Sequence, residues 1–254
     1  MSRGGAGNCS HYRCPVTIGL RLAAFNIAHG RGLDRQVDLD RTATVIRRMA
    51  AHVVCLQEVD RHFGERSHHL DQALELSRAL DMQMVFGASL TRSTRGGRPR
   101  EYGNAILSRL PILAHDLHPL PGRRGQEPRS AQRVLVELDA GALWVINTHL
   151  SPHSAQDRAV QARAVRELVA EGMGTAVIAG DFNADNDAPE LAALKDLRDA
   201  WTESGQGDGR THPAHRPNRR LDHVLCSPGV IAAFSQVMRS DASDHLPLIV
   251  DLLI

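Results

Sequence analysis

Carboxylates, amides and imidazoles stand where the apolar runs of this 254-residue chain stop. Asn26 ends Leu22-Ala23-Ala24-Phe25, Glu58 follows Val54-Cys55-Leu56-Gln57, and His149 follows Trp144-Val145-Ile146-Asn147-Thr148. Asp181 and Asn183 follow Val177-Ile178-Ala179-Gly180, and Asp244-His245 precedes Leu246-Pro247-Leu248. Asp222, in Arg220-Leu221-Asp222-His223-Val224, opens a further run. An apolar strand that hands over to a polar group at its tip fixes that group on a rigid support, as a catalytic site requires. One such residue means little; the recurrence of the same chemistry makes the pattern. Carboxylates with amides and few thiols suit a hard cation, Mg²⁺ or Mn²⁺, better than zinc. Histidines outside metal-ligand spacing are free for proton transfer or for stabilising a phosphoryl oxygen. Together these parts fit metal-assisted hydrolysis of a phosphate ester.

Other motifs fit less well. Asp181, Asn183, Asp185 and Asp187 imitate a calcium loop, but Asn186 and Ala192 hold the positions that need Gly and Glu. Gly180-Asp181-Phe182-Asn183 lacks the serine of a nucleophile elbow. Cys9 and Cys14 flank His11 without a second Cys/His pair at zinc spacing, so residues 1–15 read as a flexible Gly-rich leader. Cys55 and Cys226 lie in apolar stretches and read as buried small hydrophobes. Among the other histidines, His52, His62, His68, His69, His115, His118, His212 and His215 read as ordinary surface or core residues, and His153 as a helix-entry residue.

The elements that must position these groups follow from hydrophobic period. Thr17–Asn26, Val53–Val59, Gln83–Ser89, Tyr102–Leu107, Ile112–Leu117, Ala131–Leu138 and Ala142–Leu150 read as strands. Thr175–Gly180, Arg220–Cys226, Phe234–Arg239 and Leu246–Leu253 complete the set. Helices are expected over Arg41–Ala51, with Asp38 or Asp40 as cap, over His68–Leu80 and Ser154–Glu171, and briefly around Pro189–Leu197. Thr91–Arg100 and Pro121–Arg129 are arginine-rich, and read as solvated loops long enough to rim a site. No low-complexity linker divides the chain, so residues 16–254 are expected to form a single α/β domain with two sheets packed between helices.

Composition removes several function classes. With 42% hydrophobic and 23% charged residues the chain is not intrinsically disordered. A net charge of +1, from 30 basic and 29 acidic residues, lacks the basic excess of a protein that lives on long nucleic acid. No apolar run approaches the roughly 18 residues that cross a bilayer. Without a basic–apolar–small leader at Met1–Pro15, a cytoplasmic monomer with no stable membrane insertion is the expectation.

The ordered motifs also carry a resemblance. Phe25-Asn26, Leu56-Gln57-Glu58, Asn147-Thr148-His149-Leu150, Gly180-Asp181-Phe182-Asn183, Leu221-Asp222-His223 and Ser243-Asp244-His245-Leu246-Pro247 resemble the motif series of the endonuclease/exonuclease/phosphatase (DNase-I-like) superfamily, in the family's order. The resemblance implies a four-layered α/β sandwich with a site at one end of two packed sheets. It implies Glu58 as principal Mg²⁺ or Mn²⁺ ligand, Asn26 beside it on metal or phosphate, and Asp244 as a further metal contact. Asp181 would position or deprotonate the attacking water, and Asn183 would hold the phosphate. His245, oriented by Asp222, would take or share a proton and stabilise the pentavalent phosphorus; His149 would bind a phosphoryl oxygen or assist the leaving group.

Family membership does not name a substrate, which ranges from small molecules and lipid headgroups to nucleic acid. Glu58-Val59-Asp60 and Asn-Thr-His-Leu at the His149 strand resemble the branch of sphingomyelinases, deadenylases and assorted bacterial phosphoesterases. Thr211-His212-Pro213 with Arg219-Arg220-Leu221-Asp222 resembles small bacterial metal-dependent hydrolases. Aromatic residues are only 4% of the chain, so stacking platforms for single-stranded bases are scarce. Tyr102 and Asn104 lie on a stretch resembling a substrate-side strand; Tyr102 would equally serve as a cap on the sheet. The expectation is a phosphoester smaller than a polynucleotide, with a DNA or RNA nuclease as the alternative and a non-catalytic binding protein of the same fold as the remote one.

Overall fold

A computed structural model describes residues 19–170 and 174–254. The expected leader, with Cys9, His11 and Cys14, lies outside them. The described chain runs β1 (Gly19–Asn26), α1 (Leu39–Met49), β2 (Val53–Arg61), α2 (Gln72–Leu80), β3 (Gln83–Arg92), β4 (Arg100–Ser108), β5 (Ile112–Leu120), β6 (Arg129–Leu138) and β7 (Gly141–His149). It continues with α3 (Ala155–Ala170), β8 (Ala176–Asp181), β9 (Arg198–Asp199), α4 (Ala200–Ser204), β10 (Asp222–Cys226), β11 (Ile231–Val237) and β12 (Leu248–Leu253).

The strands form two mixed sheets, ordered β11-β12-β1-β2-β4-β3 and β5-β6-β7-β8-β10-β9. Their alternation explains the layers. On β1 and β2, Leu22, Ala24, Val53 and Cys55 face the other sheet and meet Val134, Val145, Val177 and Val224. The intervening Ala23, Phe25, Val54 and Leu56 face outward, onto Val45, Ile46 and Met49 of α1 and Leu76 of α2. Across the molecule, Ile146, Ile178 and Phe182 pack on Val165 and Leu168 of α3. Helices, sheet, sheet and helix are the four layers of an α/β sandwich. Strands covered on both faces read as continuous apolar runs, so the length of the run rather than alternation marks them in the sequence.

Each sheet has one parallel pair, β1 with β2 and β7 with β8, crossed over by α1 and α3. Parallel strands end at the same edge. Asn26 therefore lies beside Gln57, and His149 beside Asp181. The β10 strand runs antiparallel to β8, so its first residue, Asp222, pairs with the last of β8, Asp181. Topology thus gathers tips that are far apart in sequence.

Some expectations need adjustment. The second helix starts at Gln72 rather than His68, because His68 and His69 adopt left-handed backbone and Asp71 caps the Leu74 amide. Leu70, within the expected helix span, lies before the helix and is exposed. Asp38, not Asp40, caps α1 by accepting from the Arg41 amide. Pro189–Leu194 is a 3₁₀ turn, and the short β9 and α4 carry too few residues for a period to show. Cys55 and Cys226 are buried free thiols, as their surroundings suggested. Among the described residues, no helix is long and apolar enough to cross a membrane.

Candidate active site

Glu58 owes its position to a break in β2. Pairing of β2 with β4 shifts between Leu56 and Val59, and Glu58 takes a left-handed φ of 57°. Such a bulge re-aims one side chain at a local cost. Asn147 crosses from the other sheet to satisfy the carbonyls beside it. Its Nδ2 donates to Leu56 O and Ala105 O, each at 2.9 Å, and its Oδ1 accepts from Gln57 Nε2 at 2.7 Å. The opposite wall depends on Gly180, where any Cβ would overlap the Thr148 carbonyl. That close approach brings the β7 and β8 tips together.

Asn26 joins the two sheets at the site. Its Oδ1 accepts from the Ala28 amide, which fixes the orientation of the side chain. Its Nδ2 then donates to Glu58 Oε1 at 3.1 Å and to Asp181 Oδ2 at 3.0 Å. Asp181 is 1% exposed, and its other oxygen accepts from the Asn183 amide at 2.9 Å. Asn183, at a left-handed φ of 53°, donates its own amide to Leu150 O. Asp222 Oδ2 lies 2.8 Å from His245 Nδ1, and His245 Nε2 lies 3.6 Å from Asp181 Oδ2. His149 Nε2 approaches the same oxygen to 3.5 Å. Asp244 is exposed at the edge, next to Ser243, whose hydroxyl donates to Asn26 O at 2.7 Å.

Burial and charge set the protonation of these groups. Burial pushes the Glu58 carboxyl up, the Asn26 hydrogen bond pulls it down, and the Asp244 charge pushes it up again. Burial likewise raises Asp181, against the charge of His245. For His245 burial opposes the proton, but Asp222 and Asp181 outweigh it and hold the imidazole up to about 10. His149 is driven the other way, by burial first, then by Arg129 and His245. At neutral pH the site therefore holds one neutral and one cationic imidazole.

A divalent cation suits the Glu58 end. The carboxylates of Glu58 and, at the edge, Asp244 are hard oxygen donors whose repulsion a cation would relieve, whereas Asn26, expected beside the metal, turns its NH₂ toward Glu58 and gives its Oδ1 to the Ala28 amide. Asp181, Asp222 and His245 also bring ligand atoms within 4.8 Å of one another. There His245 already uses Nδ1 on Asp222 and carries a proton, so that trio is better suited to proton chemistry than to ligation.

Two residues to which the sequence assigns no role in the chemistry, Arg129 and His212, also lie near the site. Arg129, read as the end of a solvated loop, is the first residue of β6 and is 7% exposed; its Nη1 donates to His149 Nδ1 at 2.9 Å. Its signal was a charge directly in phase with an apolar strand. His212, read as ordinary, lies 4.6 Å from the His245 ring between centroids and covers it. Nothing in its local sequence marks that contact. Tyr102 and Asn104 both lie on β4 and are buried; Asn104 donates to Ser130 O, and the Tyr102 ring packs beside that of Phe63.

Comparison with known proteins gives the family and the fold. The family described as Endonuclease/Exonuclease/phosphatase family matches residues 23–245, and the chain belongs to it. An endonuclease/exonuclease/phosphatase from Beutenbergia cavernae has a similar structure, with TM-score 0.74 and 27% identity over 92% of this chain and 71% of that one. The mannosyl-6-phosphatase of Bacteroides thetaiotaomicron superposes with TM-score 0.77 at 18% identity, covering 92% of this chain and 100% of the other. TDP2 of D. rerio, complexed with a single-strand DNA product, gives 0.67 at 20%, over 92% and 98%. The last two likenesses show the fold alone. No curated protein sequence matches the chain.

Proposed function

We propose, with membership of the endonuclease/exonuclease/phosphatase family as the premise, that the chain is a divalent-metal-dependent phosphoesterase. Its substrate is a phosphodiester or phosphomonoester smaller than a polynucleotide. One observation carries the reading: a single buried carboxylate, Asp181, faces Asn26, His149 and His245, with Glu58 against Asn26.

In this reading Glu58 and Asp244 would hold Mg²⁺ or Mn²⁺, with Asn26 positioning the Glu58 carboxylate, and the bound ion would neutralise phosphate charge and make the phosphorus more electrophilic. Asp181, ionised above its raised pKa, orients the attacking water and accepts its proton as the oxygen bonds to phosphorus. His245, kept protonated beside Asp222, offers Nε2–H to the charge that grows on the phosphoryl oxygens. Asn183 and His149 bind the same group, and the bond to the leaving oxygen breaks.

The test is hydrolysis of a chromogenic phosphodiester, a phosphomonoester, a sphingomyelin, a phosphoinositide, RNA and plasmid DNA, each with Mg²⁺, Mn²⁺ or chelator. Chelator-sensitive turnover that disappears in Asp181→Ala is expected. Silence of the folded, metal-loaded protein on every substrate would overturn the reading.

One observation favours a nuclease as the second reading. Arg95, Arg98 and Arg100 are exposed on the β3–β4 hairpin, without a carboxylate partner among the described residues. A polynucleotide substrate would show cleavage that falls steeply with added salt.

A further inference from the structure

The Arg129–His149 contact joins a side chain that only donates to one that does either. A guanidinium carries five N–H groups and no acceptor. At 2.9 Å from Arg129 Nη1, Nδ1 of His149 must supply the lone pair, so the imidazole proton resides on Nε2. Nε2 is the nitrogen that faces Asp181. We infer that Arg129 is a positioning residue that locks His149 as the Nε2–H tautomer, so that His149 meets a bound phosphoryl group as an obligate hydrogen-bond donor.

The surroundings of Arg129 support this role. Its Nη2 lies 3.1 Å from Glu127 Oε1. Partners on the loop before β6 and on β7 thus hold the guanidinium. One arm of the fork meets the Glu127 carboxylate and the other an imidazole, and the second contact is the arrangement opposite to Asp222 against His245. A carboxylate behind a histidine draws the proton to the shared nitrogen, whereas a guanidinium expels it to the far one. Without Arg129, His149 is free to place its proton on Nδ1 and to turn a lone pair toward the Asp181 carboxylate.

The inference deepens the phosphoesterase reading and rests on it for its catalytic consequence, but its first test needs no turnover. Long-range ¹H–¹⁵N correlation spectra of the full chain, with Mg²⁺ at neutral pH, report the tautomer directly. The His149 signals are assigned by their loss in His149→Gln. The expected result is a protonated Nε2 and a bare Nδ1 in the wild type and in Arg129→Lys, with the tautomers mixed or reversed in Arg129→Met. On whichever phosphoester is turned over, Arg129→Met should lower kcat by about 10- to 100-fold with a smaller change in KM, and Arg129→Lys should recover part of it. A wild-type His149 protonated on Nδ1 would overturn the inference. So would an Arg129→Met protein with the wild-type tautomer and unchanged kcat. If no substrate is found but the tautomer is as stated, the phosphoesterase reading fails while the assignment of Arg129 stands.

Discussion

His149 and His245 direct their Nε2 atoms at one oxygen, Asp181 Oδ2, from 3.5 and 3.6 Å, yet they are backed by opposite charges. Arg129 stands behind the first and Asp222 behind the second. The outcome is a neutral donor and a cationic donor on either side of one carboxylate. The two histidines are therefore not interchangeable, and their second-row partners should fail in different ways.

Asp222→Asn keeps the shape beside His245 but removes the charge. The amide no longer holds the imidazolium, and kcat is expected to fall by about 10²–10⁴-fold. Circular dichroism should be unchanged. Wild-type turnover in a folded Asp222→Asn protein would show that the His245 charge plays no part.

The same pair links stability to pH. The folded-state pKa of His245 stands at about 10, above the 6.5 of an unperturbed histidine, so folding favours the protonated form. Its stabilising contribution is complete below the unfolded value and disappears as pH rises through the folded one. The Tm of the wild type should drop more steeply than that of His245→Gln between about pH 7 and 10. Parallel curves would contradict the assignment.

Glu58 exchanges stability for position. It is a non-glycine residue at φ 57° whose carboxyl is also destabilised by burial. A left-handed backbone costs a side-chain-bearing residue about 1–2 kcal/mol, against about 0.5–1 kcal/mol of added chain entropy for glycine. Glu58→Gly is expected to be more stable than the wild type by roughly 1 kcal/mol and inactive. Urea unfolding reads the first effect and hydrolysis the second; a destabilised Glu58→Gly would show that the bulge is unstrained.

Asn147 is the structural counterpart. Replacing it with alanine removes two hydrogen bonds to the buried Leu56 and Ala105 carbonyls and one from Gln57. The expected loss is about 2–4 kcal/mol in urea unfolding, at about 0.5–1.5 kcal/mol for each bond removed. A loss below about 1 kcal/mol would mean that water replaces the amide.

Metal binding to the folded state should be visible as stabilisation. With Mg²⁺ or Mn²⁺ at about 100 times Kd, the gain is about 2.7 kcal/mol. The Tm of the wild type should rise with metal and fall back with chelator, and Glu58→Gln should not respond. An equal response in both proteins would move the cation away from Glu58.

The sequence alone determined which residues end the strands, because strands buried on both faces must be apolar until the layer stops. The tips Asn26, His149 and Asp181 were legible from that boundary, and the family resemblance put them in one set with Glu58, Asp222 and His245. Helix starts were less legible, since the left-handed His68 and His69 differ from helical residues in backbone alone. Tertiary structure decided the rest. A one-residue bulge at Glu58 leaves no trace in composition, and it takes the partner strand to reveal the shifted register. Arg129 and His149 stand twenty residues apart, and Asn147 and Leu56 ninety-one. Such pairings depend on how two sheets stack, which hydrophobic period does not specify. The charge on each histidine is settled by the same contacts, because a proton's position depends on the group that closes around it after folding.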